Sequence, residues 1–456
     1  MRRHAGRRRG PAAILDPAFA TLRLSPPATL ALVFALLIAA GTLLLRLPFA
    51  ATTPLGWLDA AFTATSAVTV TGLTVVDTGA GFTPFGQLVI LLLIQLGGLG
   101  IVSFAMLVFL LLGHRLGLRQ QVMLHQDLAT TALGDVMRLV RLIAAVVLGA
   151  ELAGTVLLAL RWVPELGLAS GTWQAVFHAV SAFNNAGFSL WPDSLARWAG
   201  DPVVNLVVPA LFIVGGIGFS VLADLRGFRP WRRRAVHTRL MLAGTAVLVV
   251  ASVAATALLE WRNPATLGAL DGWPARLQAA WLQGVTTRTA GFSSVDIGAL
   301  APGTALAYMV LMFVGGGSTS TAGGIKVTSL VVLLAATWSF LRRRPEVVLL
   351  GRAIAPLDVL RALALASIGM LLLLVAVFLL VLTQPLPFLD LAFEATSAFG
   401  TVGLSRGVTT ELDGFGRLVL MVLMFTGRIG PLALGFMLAT PARAGIRHPA
   451  GRIQLG

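Results

Sequence analysis

The 456-residue chain has no cysteine, one tyrosine and one lysine, and Asp, Glu, Lys and Arg together make up only 12 % of it. Without cysteine there is no disulfide frame, no thiolate nucleophile and no zinc–thiolate centre. Soluble domains carry about 25 % charged residues, so this composition, with 57 % hydrophobic residues, excludes an ordinary soluble globule. Catalytic signatures are missing as well. There is no HExxH, GxSxG or P-loop, and the six histidines are scattered. No dinucleotide fingerprint follows a strand-like segment. Neither an enzyme nor a resident cofactor is expected.

What is present are apolar runs of membrane-spanning length, roughly 20 residues: Ala28 to Leu45, Leu139 to Leu160, Leu240 to Leu259 and Leu360 to Leu382. The formal charge of +15 sits in short basic stretches: MRRHAGRRR at the start, RGFRPWRRR at 226–234, LRRRPE at 341–346 and PARAGIRH at 441–448. Placed on one side of a bilayer, these satisfy the positive-inside bias and face anionic lipids. Nucleic acid is not an expected partner. The basic start before an apolar run also resembles a signal peptide, but the internal repeats give that first run a structural place.

Four segments align without gaps: FTATSAVTVTGL (62–73), FHAVSAFNNAGF (177–188), WLQGVTTRTAGF (281–292) and FEATSAFGTVGL (393–404). Each opens on an aromatic residue and reaches a glycine ten positions later: Gly72, Gly187, Gly291 and Gly403. Three positions before the aromatic stands Asp59, Gln174, Gln278 or Asp390. A second glycine cluster follows within each next apolar run: GGLG at 97–100, GGIG at 215–218, GGGS at 315–318 and TGRIG at 426–430. Each unit therefore reads as an outer helix, a short helix ending in a glycine strand, and an inner helix. Four units give an all-α membrane protein with eight spanning helices and four re-entrant pore loops around one pseudo-fourfold pore. An even number of crossings leaves both termini on the arginine-rich, cytoplasmic side.

Re-entrant backbone is tolerated at membrane depth only when buried in protein or lining water. Four such strands converging on an axis would offer carbonyls in place of an ion's hydration shell, with the helix C-termini favouring a cation. Glycine allows the positive φ such a strand needs. A monovalent cation is the expected cargo, bound by Val70, Thr71 and Gly72, by Asn185, Ala186 and Gly187, by Thr289, Ala290 and Gly291, and by Thr401, Val402 and Gly403. The glycines of GGLG and GGIG read as helix-packing contacts.

TVTGL, FNNAGF, TRTAGF, FGTVGL and GGGSTSTAGGIK together resemble the Trk/Ktr/HKT superfamily of potassium transporters, most closely its KtrB-type membrane subunits. The resemblance covers nearly the whole chain after about residue 25. Some relatives carry serine at the first filter position and favour sodium; Gly72 here implies potassium. Left open as alternatives are a sodium-conducting or weakly selective relative and a TrkH-type subunit. The resemblance also implies a homodimer and a cytosolic RCK-type, nucleotide-binding KtrA-like partner, with sodium dependence undecided. The expected organisation is a basic tail (1–27), pore repeat 1 (28–112), a loop (113–136), repeat 2 (137–225), a basic loop (226–237), repeat 3 (238–340), a basic loop (341–357), repeat 4 (358–440) and a C-terminal tail (441–456).

Within repeat 3, the stretch 315–326 puts five glycines and four hydroxyl residues between the apolar flanks LAYMVLMFV and VTSLVVLLAATW. Glycine costs a helix about 1 kcal/mol per residue relative to alanine, while serine and threonine satisfy freed backbone groups. The resemblance implies that Gly315, Gly316, Gly317, Ser318, Thr319, Ser320, Thr321, Ala322, Gly323 and Gly324 form an intramembrane gate below the filter. The alternative is a static kink. Arg428 lies inside the fourth inner helix, where a charge costs about 2.5–3.5 kcal/mol. It is expected to be an electrostatic part of the gate rather than a snorkelling side chain. Lys326 either anchors the loop's inner end or snorkels. Arg288 is expected to point away from the ion and hold Glu394 or another pore-helix group. Glu151 should hydrogen-bond a neighbouring helix, and Asp59 and Asp390 should cap their short helices.

Overall fold

The computed structural model describes residues 26–100, 133–227, 230–318 and 320–430. The two tails, most of the 101–136 segment, Thr319 and the last part of repeat 4 lie outside the described residues. What is described is almost wholly helical, with one two-stranded antiparallel hairpin, β1 (Val348–Leu349) and β2 (Arg352–Ala353).

Among the described residues, four helices are long and apolar enough to cross a membrane. They lie in α1 (Pro26–Leu45), α4 (Leu133–Leu166), α8 (Val236–Glu260) and α12 (Pro356–Thr383). Twenty residues at about 1.5 Å each span roughly 30 Å, the hydrocarbon thickness of a bilayer. Leu36, Leu160, Leu258 and Phe378 stand well exposed on these helices, as lipid-facing side chains would.

Each long helix is followed by a short, buried one: α2 (Trp57–Val68), α5 (Leu168–Phe183), α9 (Gly272–Thr286) and α13 (Phe388–Gly400). In α13 every residue from Leu391 to Gly400 is buried. The inner helices come next: α3 (Pro84–Leu99), α6 (Pro202–Ile217) continuing into α7 (Phe219–Arg226), α10 (Pro302–Phe313) continuing after a loop into α11 (Val327–Leu341), and α14 (Gly414–Ile429). Local chemistry starts them. Thr83 caps α3 ahead of Pro84, Asp201 caps α6 ahead of Pro202, and Asp413 caps α14 through the Gly416 amide at 2.8 Å. That amide holds the Asp413 carboxyl below its usual range, the expected result of an N–H bond to a carboxylate.

An interruption was expected only in the third inner helix. The structure breaks the second as well, α6 and α7 meeting at 95° around Gly218. The first and fourth end at Leu99 and Ile429, where Gly100 and Gly430 take positive φ of 70° and 96°. The glycine clusters of the inner helices are thus both packing surfaces and helix ends.

The inner helix of one unit packs on the short helix of the next: α3 on α5, α6 on α9, α10 on α13, and α14 back on α2. An ion pair reinforces one of these seams and an arginine bridge another. Arg417 on α14 meets Asp59 of α2 at 2.5 Å, and Arg406 meets Asp390 of α13 at 2.5 Å while donating to the Ile297 and Leu300 carbonyls. Asp59 and Asp390 do stand in the first turns of their helices, but neither caps by side-chain hydrogen bond. Arginine from another segment competes successfully for those oxygens.

The close packing predicts a sharp contrast between glycines. A Cβ on Gly97 would strike the Val68 carbonyl, whereas one on Gly149, inside α4, meets nothing within 4 Å. Gly97→Ala should lower thermal stability in detergent by an amount equivalent to about 1–3 kcal/mol of overpacking. Gly149→Ala should leave it unchanged or raise it by up to about 1 kcal/mol. Equal melting temperatures for the two variants would rule out the close α2–α3 contact.

Candidate functional site

The four short helices run into four strands that share one backbone pattern. Val70, Asn185, Thr289 and Thr401 have φ between 50° and 64°, and Gly72, Gly187, Gly291 and Gly403 have φ between 68° and 91°. The residue between each pair, Thr71, Ala186, Ala290 or Val402, is not left-handed. In an ordinary strand successive residues point to alternate sides; alternating the sign of φ turns successive carbonyls toward the same side. The first position costs strain at a non-glycine residue, so the surroundings must enforce it.

The four glycines close a ring. A Cβ on Gly72 would lie 3.2 Å from the Gly187 Cα, one on Gly187 2.8 Å from Gly291, one on Gly291 3.5 Å from Gly403, and one on Gly403 3.1 Å from Gly72. Carbonyls of Ala186, Val402 and Thr71 crowd the same positions. All twelve residues expected to bind the ion come together here. On one side of the ring opens a cavity of about 160 Å³, lined by the four glycines with Thr74, Asp77, Ser189, Ser293 and Ser405 among others.

Serines behind the strands support them, a role the sequence reading missed. The Gly72 amide donates to Ser66 Oγ at 3.1 Å and the Gly403 amide to Ser397 Oγ at 3.0 Å, while Ser181 donates to the Phe188 carbonyl at 2.8 Å. The signal was available: the fifth residue of the aligned segments is Ser66, Ser181, Val285 or Ser397.

On the other side lies the glycine-rich loop. Its neck is tied by the Gly315 amide to the Ile325 carbonyl at 2.8 Å. Its backbone is pinned to the second inner helix by Gly317 to Gly216 at 2.8 Å and Thr321 to Gly215 at 3.3 Å. The Thr321 hydroxyl donates to Asn185 Oδ1 at 2.7 Å, and a Cβ on Gly323 would collide with the Thr401 side chain. The loop thus touches the first left-handed residues of two of the strands, Asn185 and Thr401.

Three cations hold carbonyls around it. Arg428 donates to the Thr321 carbonyl and to those of Gly97 and Gly98, at 2.5 and 2.9 Å. Lys326 donates to the Ala322 carbonyl at 2.7 Å. The partner of Arg288 is the Gly315 carbonyl at 2.9 Å, not Glu394 or another pore-helix group. Glu394 is occupied by Ser405, Thr409 and the Arg406 amide. Glu151 accepts from Asn184 at 3.2 Å, joining α4 to the end of α5.

The sequence matches the family described as TrkH, cation transport protein, over residues 28–443. It is 45 % identical over 441 residues to the Ktr system potassium uptake protein B of Bacillus subtilis (strain 168), covering 97 % of this chain and 99 % of the relative. Against the protein of the same description from Vibrio alginolyticus it is 42 % identical over 417 residues, 91 % of each chain. Against the potassium/sodium uptake protein NtpJ of Enterococcus hirae it is 36 % identical over 443 residues, 95 % of this chain and 98 % of that one. Its fold is similar to the crystal structure of the potassium transporter TrkH from Vibrio parahaemolyticus, with a TM-score of 0.70 over 92 % of this chain and 86 % of that one. At 20 % identity that likeness bears on the fold alone.

Removing a serine support should leave a buried amide unpaired, which costs about 1–3 kcal/mol. Ser66→Ala and Ser397→Ala should each lower the melting temperature of purified protein in detergent. Val285→Ser, at the position where this register has no hydroxyl, is expected to give no matching gain. Unchanged melting for both alanine variants would show that the strands do not rely on these hydroxyls.

Proposed function

Because the chain belongs to the TrkH family of cation transport proteins, we propose that it takes up potassium across the cell membrane through the four-glycine ring. The observation that carries this reading is the closed ring itself, four strands from one chain with the same alternation of backbone handedness. Carbonyls turned to one side replace the hydration shell of a cation, as rings of carbonyls do in potassium-selective filters. Val70, Thr71, Gly72 and their counterparts in the other three strands supply them. The short helices direct their C-terminal dipole ends to the same point, which favours positive charge there.

In this reading the chain crosses the membrane eight times, α1, α4, α8 and α12 being the outer helices and α3, α6, α10 with α11, and α14 the inner ones. The four short helices with their strands are the re-entrant pore loops of the four repeats. Both termini face the cytoplasm. The cavity lined by Asp77 and the serines is then the outer mouth, and the loop from Gly315 to Gly324 closes the path beneath the filter. Arg428 latches that loop to the first inner helix and sets a positive charge in the ion's way; Lys326 braces the loop's far end. The assembly is a homodimer in the membrane, regulated by a cytosolic RCK-type nucleotide-binding subunit docked on the basic inner loops. The names of the Ktr relatives support the potassium cargo. NtpJ, named for potassium and sodium, keeps sodium coupling in view.

Two measurements test this. Rubidium and sodium uptake into proteoliposomes should show rubidium preference in the wild type. Gly72→Ser puts a side chain at φ of 91° and into the Ala186 carbonyl, so the preference should fall at least about tenfold, about 1.4 kcal/mol. Equal fluxes of both ions in both proteins would overturn a potassium filter at this ring. The second measurement addresses the latch. Arg428→Gln loses the charge and the Thr321 contact and should raise basal rubidium flux several-fold, as should deletion of the loop. A fall in flux for both would mean that neither blocks the path.

A further inference from the structure

The four filter strands differ at one place. Three residues before the ring glycine stand Thr69, Asn184, Arg288 and Gly400. The Thr69 hydroxyl turns back to the Thr65 carbonyl, the Asn184 amide reaches Gln95 and Glu151, and Gly400 has no side chain. Only the third unit carries a cation there, and the third unit is the one whose inner helix gives way to the glycine-rich loop.

The two peculiarities meet. In the first, second and fourth units, Gly97, Gly215 and Gly427 press against the Val68, Phe183 and Phe399 carbonyls at the ends of the short helices. Their helices run on past that contact, to Leu99, Ile217 and Ile429. In the third unit the helix stops at Phe313, so the Gly315 carbonyl leaves the helical ladder. A buried carbonyl without a partner costs about as much as a lost hydrogen bond, and Arg288 Nη2 supplies the partner at 2.9 Å. Arg288 is itself buried, and among the described residues it forms no ion pair. Gly315 is also the neck residue whose amide holds Ile325. One guanidinium therefore ties a filter strand to the point where the loop leaves the helix.

We propose that Arg288 is the fixed post on which the intramembrane loop turns, a positioning residue that couples the third filter strand to the loop's neck. This rests on the reading of ring and loop as filter and gate. The neck stays with the filter while the tip at Thr321, held by Arg428 and Asn185, is the part that releases. Loss of the post loosens the neck and lets loop displacement disturb the third strand.

The absence of native cysteine allows a test that needs no transport. Ser318→Cys reports loop exposure by its rate of modification with a charged methanethiosulfonate reagent in detergent. Adding Arg288→Gln should raise that rate at least about fivefold, and Arg288→Lys, which keeps the charge without the planar fork, should fall between. Equal rates in all three overturn the proposal. If the glutamine variant is not monodisperse, the lysine variant carries the same comparison, faster labelling supporting the post and an unchanged rate refuting it. In proteoliposomes, Arg288→Lys should lower the rubidium-to-sodium flux ratio in the full chain but not further in a chain lacking residues 315–324, a non-additivity that marks coupled sites. Additive losses would place Arg288 in the filter alone and refute coupling. A parent protein without rubidium preference would overturn the potassium reading while leaving the labelling comparison to decide the post.

Discussion

Backbone that leaves the helix inside a bilayer must find its partners within the protein, because lipid offers none. That constraint explains which residues surround the ring. Each filter strand gives up helical bonds, and the lost partners return from behind it: Thr71 and Val402 amides on the Ser66 and Ser397 carbonyls, Gly72 and Gly403 amides on the same two serine hydroxyls. The strands' one-sided carbonyls are then left free for whatever occupies the axis. Glycine at the ring is demanded twice over, by positive φ and by neighbouring backbone that leaves no room for a Cβ.

The same constraint sorts the charges. At the solvent ends of the helices, arginines meet carboxylates, as in Arg417 with Asp59 and Arg161 with Asp201. Around the ring and the glycine-rich loop, cationic side chains meet carbonyls instead: Arg288 with Gly315, Lys326 with Ala322, Arg428 with Thr321, Gly97 and Gly98. Burying an ion pair carries a desolvation cost for both partners, whereas the last carbonyls of a helix are already desolvated, unpaired and at the negative end of its dipole. The Gly97 and Gly98 carbonyls lie in the last turn of α3. Arg428 thus completes one helix end and one loop with a single side chain.

The convergence of Gly72, Gly187, Gly291 and Gly403 and the break in the third inner helix were legible because a repeat of about 110 residues shows the same residues in the same register. What the register could not show were the partners of single side chains. By sequence Arg288 has Glu394 or another pore-helix group as its expected partner, and it meets the Gly315 carbonyl instead. Nothing in the sequence reveals that Ser405, Thr409 and the Arg406 amide already fill that carboxylate. Asp59 and Asp390 look like caps by position, yet long arginines 16 and 358 residues away reach them first. The break at Gly218 was hidden for another reason. GGIG reads equally as close packing and as a helix end, and the structure uses it as both, with Gly215 packed on Phe183 and Gly218 at a φ of 108°.

The asymmetry of the third unit follows from the same physics. A fourfold ring of unbroken inner helices would satisfy its backbone completely and would have no part free to move. Replacing nearly three helix turns by Gly315 to Gly324 exchanges i-to-i+4 bonds for a few longer-range ones, from Gly317 to Gly216, Thr321 to Gly215 and Val327 to Gly316. Glycine gains more conformational entropy than other residues when released, so each of these bonds is opposed more strongly than a helical one. Cations aimed at the loop's carbonyls offset part of that deficit without filling the space beneath the ring with apolar side chains. The loop is therefore held by contacts that can be given up singly, at its tip, while its neck remains fastened to the filter strand it serves.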